Sequence, residues 1–161
     1  YTLPEAQLDR FLLKAVMPLP ERDVEVDVLR RHAGGFDTTD LAATGLRAVV
    51  DIPSLHRAQQ DVAAVKAEDP VVQYIVDVCR ATRRSPSLAL GVSPRGAIAL
   101  LRTSRAWAYL SGRDFITPDD VKTMAPSTLS HRVRLTTEAE LEGTQVEAVL
   151  AATLASVPVP R

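Results

Sequence analysis

Apolar residues recur every three to four positions along most of this chain, the spacing of one face of an α-helix. Over 69–84 the stripe is Val71, Tyr74, Ile75, Val78 and Cys79; over 53–67 it is Leu55, Ala58, Gln59, Val62, Ala63 and Val65. The segment 94–111 places Leu100 and Trp107, and Leu101 and Ala108, seven apart, which predicts a helix central to the core. Trp107 and Tyr74 read as core anchors. Three further helices are predicted. One runs over 21–32, with acids in its first turns, Arg30-Arg31-His32 at its end and Gly34-Gly35 as its stop. Another follows Thr117-Pro118-Asp119-Asp120, an N-cap, a proline at the first helical position and two acids in the first turn, and ends near Leu129. The last runs from Thr144 to about Ser156, where Pro158 and Pro160 prevent continuation.

Only two stretches read as strand. Residues 11–17 form a short apolar run closed by Pro18 and Pro20, and 132–136 alternate apolar with polar. Residues 36–52 and 85–91 read as connections. The fold class is all-α, a bundle of about six helices with a short strand at the N-terminal side.

Composition narrows the class. The chain has 161 residues, 46% hydrophobic and 24% charged, enough to bury a core. Aromatics are only 4%, so that core is built from Ala, Val, Leu and Ile. No apolar run approaches the length of a membrane span, and the first residues lack the basic start and apolar stretch of a signal peptide. A single cysteine, Cys79, excludes an internal disulfide and reads as a small buried hydrophobe. These features fit a cytoplasmic protein. Charge is unevenly spread: residues 1–79 carry 8 basic and 13 acidic side chains, residues 80–134 carry 10 and 3, and the remainder 1 and 4. The central net of +7 invites an anionic partner.

The sharpest local signal is Gly91-Val92-Ser93-Pro94-Arg95-Gly96. Ser93 suits the N-cap and Pro94 the first helical position, which leaves Arg95 in the first turn, beside the positive end of the helix dipole. A cation there is unfavourable by roughly 0.3–1 kcal/mol, so helix stability does not account for Arg95. An anion does, because free amides, the dipole and a guanidinium together form a phosphate site. Much other chemistry is missing. There is no G-x-x-x-x-G-K-[ST] phosphate loop, His32, His56 and His131 are too scattered for a metal, and no serine sits in the strained turn of a hydrolase elbow.

Several motifs, in order, resemble the C-terminal part of a MoxR-type AAA+ ATPase. Tyr1-Thr2-Leu3-Pro4-Glu5-Ala6-Gln7-Leu8-Asp9-Arg10-Phe11 resembles the segment that follows sensor 1 and closes the ATPase core. Tyr74-Ile75-Val76 with Ala81-Thr82-Arg83 resembles the helix before the lid loop, and Gly91-Val92-Ser93-Pro94-Arg95 resembles sensor 2. Ala106-Trp107-Ala108, the run Gly112-Arg113-Asp114-Phe115-Ile116-Thr117-Pro118-Asp119-Asp120-Val121, and His131-Arg132 complete the pattern.

The resemblance implies that residues 1–19 are the tail of an AAA+ core, bearing its last strand, and that 20–161 are the helical lid. It implies that Arg10 is an arginine finger acting on a neighbouring subunit's nucleotide. Arg95 would be sensor 2 acting on the subunit's own nucleotide, with Ser93 and Pro94 beside it. Asp9 is read as orienting Arg10, and Arg83, Arg84, Arg102 and Arg105 as surface or interface arginines. The implied cofactor is ATP with Mg2+. The implied partners are other copies in a ring, expected to be a hexamer, and a von Willebrand A domain protein; no nucleic acid or membrane is expected. The chain starts without Met and inside a motif, so it is expected to be a piece of a longer ATPase whose phosphate loop and Walker B acid lie upstream, and to be inactive alone. The alternatives are the small subunit of a magnesium chelatase, which shares this layout, and a helical nucleic-acid module using the +7 segment.

Overall fold

The computed structural model describes residues 3–40 and 44–160. Tyr1 and Thr2 of the first motif, and positions 41–43 of the connection over 36–52, lie outside the described residues. Eight helices are present among them: α1 (Glu5–Leu8), α2 (Arg22–Ala33), α3 (Ile52–Ala64), α4 (Asp69–Arg84), α5 (Pro94–Leu110), α6 (Pro118–Leu129), α7 (Thr137–Leu141) and α8 (Val146–Ser156). Two short strands, β1 (Leu88–Leu90) and β2 (Arg134–Leu135), pair antiparallel with an irregularity between Leu88 and Leu90. The fold is all-α, as the apolar spacing predicts.

The chain forms two compact units, Tyr1–Ala15 with Ala58–Arg161, and Val16–Arg57. In the larger unit α4, α5, α6 and α8 enclose one core. Tyr74 and Val78 of α4, Leu100 of α5, Val121 and Leu129 of α6 and Leu150 of α8 are all buried there. Burial of a side chain such as Leu100 contributes about 1.5–3 kcal/mol relative to leaving it in water. A side-chain pair bridges two helices inside the core: the hydroxyls of Thr103 and Thr128 meet at 2.9 Å between α5 and α6. Cys79 is buried as expected, and burial pushes its thiol up to about 11 against the lowering influence of Arg83 and Arg132. Trp107 is a correction: it is 42% exposed, while Ala108 beside it is fully buried.

The smaller unit consists of α2, the connection after it and the start of α3. Gly35, at φ 88°, takes the left-handed conformation that stops α2. Neither α2 nor α3 has a buried residue.

The strand expected over 11–17 is not formed. A strand exists only through a ladder, and the backbone here bonds elsewhere: the Lys14 N–H donates to the Ser127 carbonyl at 2.7 Å. The ladder lies instead between the segment read as a loop over 85–91 and the alternating run at 132–136.

Candidate functional site

Helix α5 starts as its sequence dictates. The Ser93 hydroxyl accepts from the Gly96 N–H at 3.2 Å, and Pro94 occupies the first turn. The two glycines around this cap are required by close approach. A Cβ on Gly91 would lie 2.6 Å from the Arg83 Cα, and one on Gly96 would lie 2.5 Å from a Val92 methyl and 3.2 Å from Arg132 Cδ. The loop before α5 is fastened to α4 by Arg83 Nε, which donates to the Val92 carbonyl at 2.6 Å, and by the Val92 N–H, which donates to Thr82 Oγ1 at 3.0 Å.

The space left by Gly96 admits Arg132, whose side chain is 2% exposed. This arginine straps the segment around Arg10 to the bundle. Its Nε donates to the Thr128 carbonyl at 2.9 Å, its Nη1 to Asp9 Oδ1 at 2.6 Å and to the Asp9 carbonyl at 2.5 Å, and its Nη2 to the Phe11 carbonyl. The Asp9 carboxylate also accepts from the Ser93 hydroxyl, at 3.0 Å to Oδ2. Asp9 therefore spends its charge on Arg132 and Ser93, and the expected Asp9–Arg10 pair is absent among the described residues. His131 adds to the strap: its Nε2 donates to the Phe11 carbonyl at 3.0 Å. Burial holds His131 below its ordinary pKa, helped by Arg132 and Lys14 and opposed by the Phe11 carbonyl and Asp9.

Strap and cap together bring the two sequence-predicted arginines to one place. Arg10, Arg95 and Arg102 line a cleft of about 280 Å³ with Arg132, Leu12, Ile98 and Ala99. Arg132 is already neutralised by Asp9. The other three guanidiniums have no ion pair among the described residues, and no carboxylate lines the cleft. Like charges in one concavity raise the local positive potential, and only an anion from outside relieves it. The cleft falls below the ~300–1,000 Å³ of a site for a drug-sized molecule, so it suits a phosphate end better than a whole nucleotide.

Ser93 and Pro94 do not line it. Ser93 borders a neighbouring cavity of about 350 Å³, and its hydroxyl is committed to Gly96 and Asp9. A separate cavity of about 740 Å³ between α4 and α8 is lined by none of the predicted site residues. Arg102 and Arg132 are the site residues that sequence reasoning missed. Arg102 had a visible signal, since it stands seven after Arg95 and so on the same helix face. Arg132 had none beyond its place in a motif, because its acid lies 123 residues away.

Residues 80–153 match the AAA lid domain family. The chain is 42% identical over 160 residues to the uncharacterized protein YeaC of Bacillus subtilis, covering 99% of this chain and 48% of that protein. It is 30% identical over 170 residues to the chaperone MoxR1 of Mycobacterium tuberculosis, covering 100% of this chain and 43% of the relative. In structure it resembles a crystallised Cytophaga hutchinsonii protein assigned as an ATPase, with a TM-score of 0.84 and 27% identity over 100% of this chain and 50% of that one. The chain thus spans about half the length of the proteins it matches. Motif order, the helical bundle and these full-chain similarities together support a MoxR-type AAA+ ATPase C-terminal region.

Proposed function

We propose that this chain completes ATP sites whose phosphate loop and Mg2+ ligands come from outside it, in a ring that hydrolyses ATP to remodel or activate partner proteins. Residues 1–19 are the end of the ATPase core and 20–161 the lid. Arg10 is the arginine finger and Arg95 is sensor 2. Arginine suits both tasks, because its planar fork binds phosphate oxygens in pairs and keeps its charge. The observation that carries this reading is the acid-free cleft shared by Arg10, Arg95 and Arg102. The resemblance alone assigns Arg95 to the subunit's own nucleotide and Arg10 to the neighbour's. A common cleft supports both guanidiniums reaching one nucleotide from the same side, across the subunit boundary. Closure of the lid on that nucleotide couples hydrolysis to movement of rigid parts. The ring is proposed as a hexamer, with a von Willebrand A domain protein as partner.

The test uses the full-length protein. Arg10→Gln should lower ATP turnover by about 10³-fold or more, the ordinary worth of an arginine finger, and Arg95→Gln should lower it strongly. Each variant is then mixed with a phosphate-loop variant, and mixed assembly is verified by mass. Both mixtures should regain turnover, since an intact loop on one subunit meets intact arginines on the next. If only the Arg10 mixture recovers, Arg95 serves its own subunit. If neither single variant loses turnover, the phosphate assignment fails.

A further inference from the structure

We infer that Arg102 is a third phosphate-binding arginine, holding the non-transferred phosphates of the nucleotide whose terminal phosphate Arg10 and Arg95 address; this rests on the reading above. The placement follows from α5 itself. Arg95 and Arg102 are two turns apart on one face, separated by about 10 Å of helix, so their guanidiniums reach different oxygens. Ile98 and Ala99 lie between them and floor the same cleft.

Among the described residues no ion pair offsets the charge at position 102. The positions one turn away, where a helical partner would stand, are Ile98, Ala99, Arg105 and Ala106. No acid occurs anywhere in α5, Pro94–Leu110, although it carries Arg95, Arg102 and Arg105. Arg102 is exposed while its neighbours Thr103 and Ser104 are buried in the core, so the fold turns this side chain outward and leaves it uncompensated beside two other cations. A chain of phosphates supplies the missing negative charge at the required spread, whereas a single carboxylate would satisfy one arginine of the three. The position also sets the role. Arg95 stands in the first turn of α5, where free amides add to its pull, while Arg102 is two turns beyond them. Its ligand is therefore charge already present before transfer, and its contribution is to binding.

The experiment compares Arg102→Gln, Arg102→Lys and Arg95→Gln in the assembled full-length ATPase. Arg102→Gln should raise KM for ATP about tenfold or more, the worth of hydrogen bonds to a charged group, with kcat changed less than about threefold. The inhibition constant of inorganic tripolyphosphate, a probe without base or ribose, should rise in parallel. Arg102→Lys, which keeps the charge and loses the fork, should fall between. An unchanged KM and an unchanged tripolyphosphate constant in Arg102→Gln overturn the inference. So does a variant whose ring dissociates in sedimentation while tripolyphosphate still binds normally, because Arg102 would then pair with a neighbouring subunit. If Arg95→Gln is also silent, the parent reading has failed; if Arg95→Gln alone is impaired, only the role of Arg102 has.

Discussion

The two ends of helix α5 use arginine in opposite ways. Beyond its C-terminal end, Arg113 forks onto Asp120, with Nη1 to Oδ2 at 2.7 Å and Nη2 to Oδ1 at 2.5 Å. The same carboxylate accepts from the Thr117 N–H at 2.7 Å and completes the capping box of α6. Near the N-terminal end, Arg10, Arg95 and Arg102 share a cleft without a carboxylate. Residue type does not separate these arginines; compensation does. A guanidinium matched by a buried acid fixes the fold, and one facing only other cations is left free for the phosphate role proposed above. Arg132 shows that the division is not by region. It borders the uncompensated cleft, yet it is matched in full by Asp9 and backbone carbonyls.

The most damaging way to break the contrast is to remove Arg132. Arg132→Met should cost roughly 3–5 kcal/mol, the usual loss when one partner of a buried pair is deleted. Urea unfolding measures the cost, and hydrogen exchange should show the amides of residues 9–14 losing protection first. A loss below about 1 kcal/mol would move Arg132 to the uncompensated group, since exposed pairs are worth no more than that.

Asp120 sharpens the comparison from the other end. Asp120→Ala removes the fork and the cap together and should cost about 2–3 kcal/mol. Burial by itself would raise this carboxyl, but the bonds from Arg113 and from the Thr117 N–H and hydroxyl outweigh it and hold the pKa below the ordinary value. The folded pKa thus lies under the unfolded one, so the stabilisation is complete above about pH 4 and disappears as pH falls through the folded value. Acid unfolding of the wild type should therefore show a component that Asp120→Asn lacks. Parallel acid profiles for the two proteins would contradict the pairing.

What the sequence discloses follows the same line between local and distant partners. The cap of α5 and the capping box of α6 were readable because donor and acceptor are three residues apart. The Arg95–Arg102 face was readable from helical spacing. The strap of Asp9, Ser93 and Arg132 was not, because it joins residues 84 and 123 positions apart. The same reason moved the strand: an apolar run at 11–17 has strand composition, but the ladder formed where β1 and β2 found each other. The five-residue α7 was missed because it is shorter than a periodic pattern needs. The stripe of α3 was legible as a helix, yet α3 has no buried residue, since periodicity gives a face and says nothing about what covers it.

The smallest effect on stability is the sharpest test. Arg95 carries a positive charge at the positive end of α5 and has no acid to offset it among the described residues. Arg95→Gln should therefore leave the fold intact and raise its stability by about 0.3–1 kcal/mol at low ionic strength, with the gain shrinking as salt screens the dipole. The same substitution should lower ATP turnover in the full-length protein. Opposite signs on stability and activity are what a ligand-directed charge predicts, because the folded chain bears a cost that only the bound anion offsets. Should Arg95→Gln destabilise the bundle by more than about 1 kcal/mol in urea, Arg95 would belong with Arg113 among the compensated arginines, and the cleft would lose the residue that first marked it.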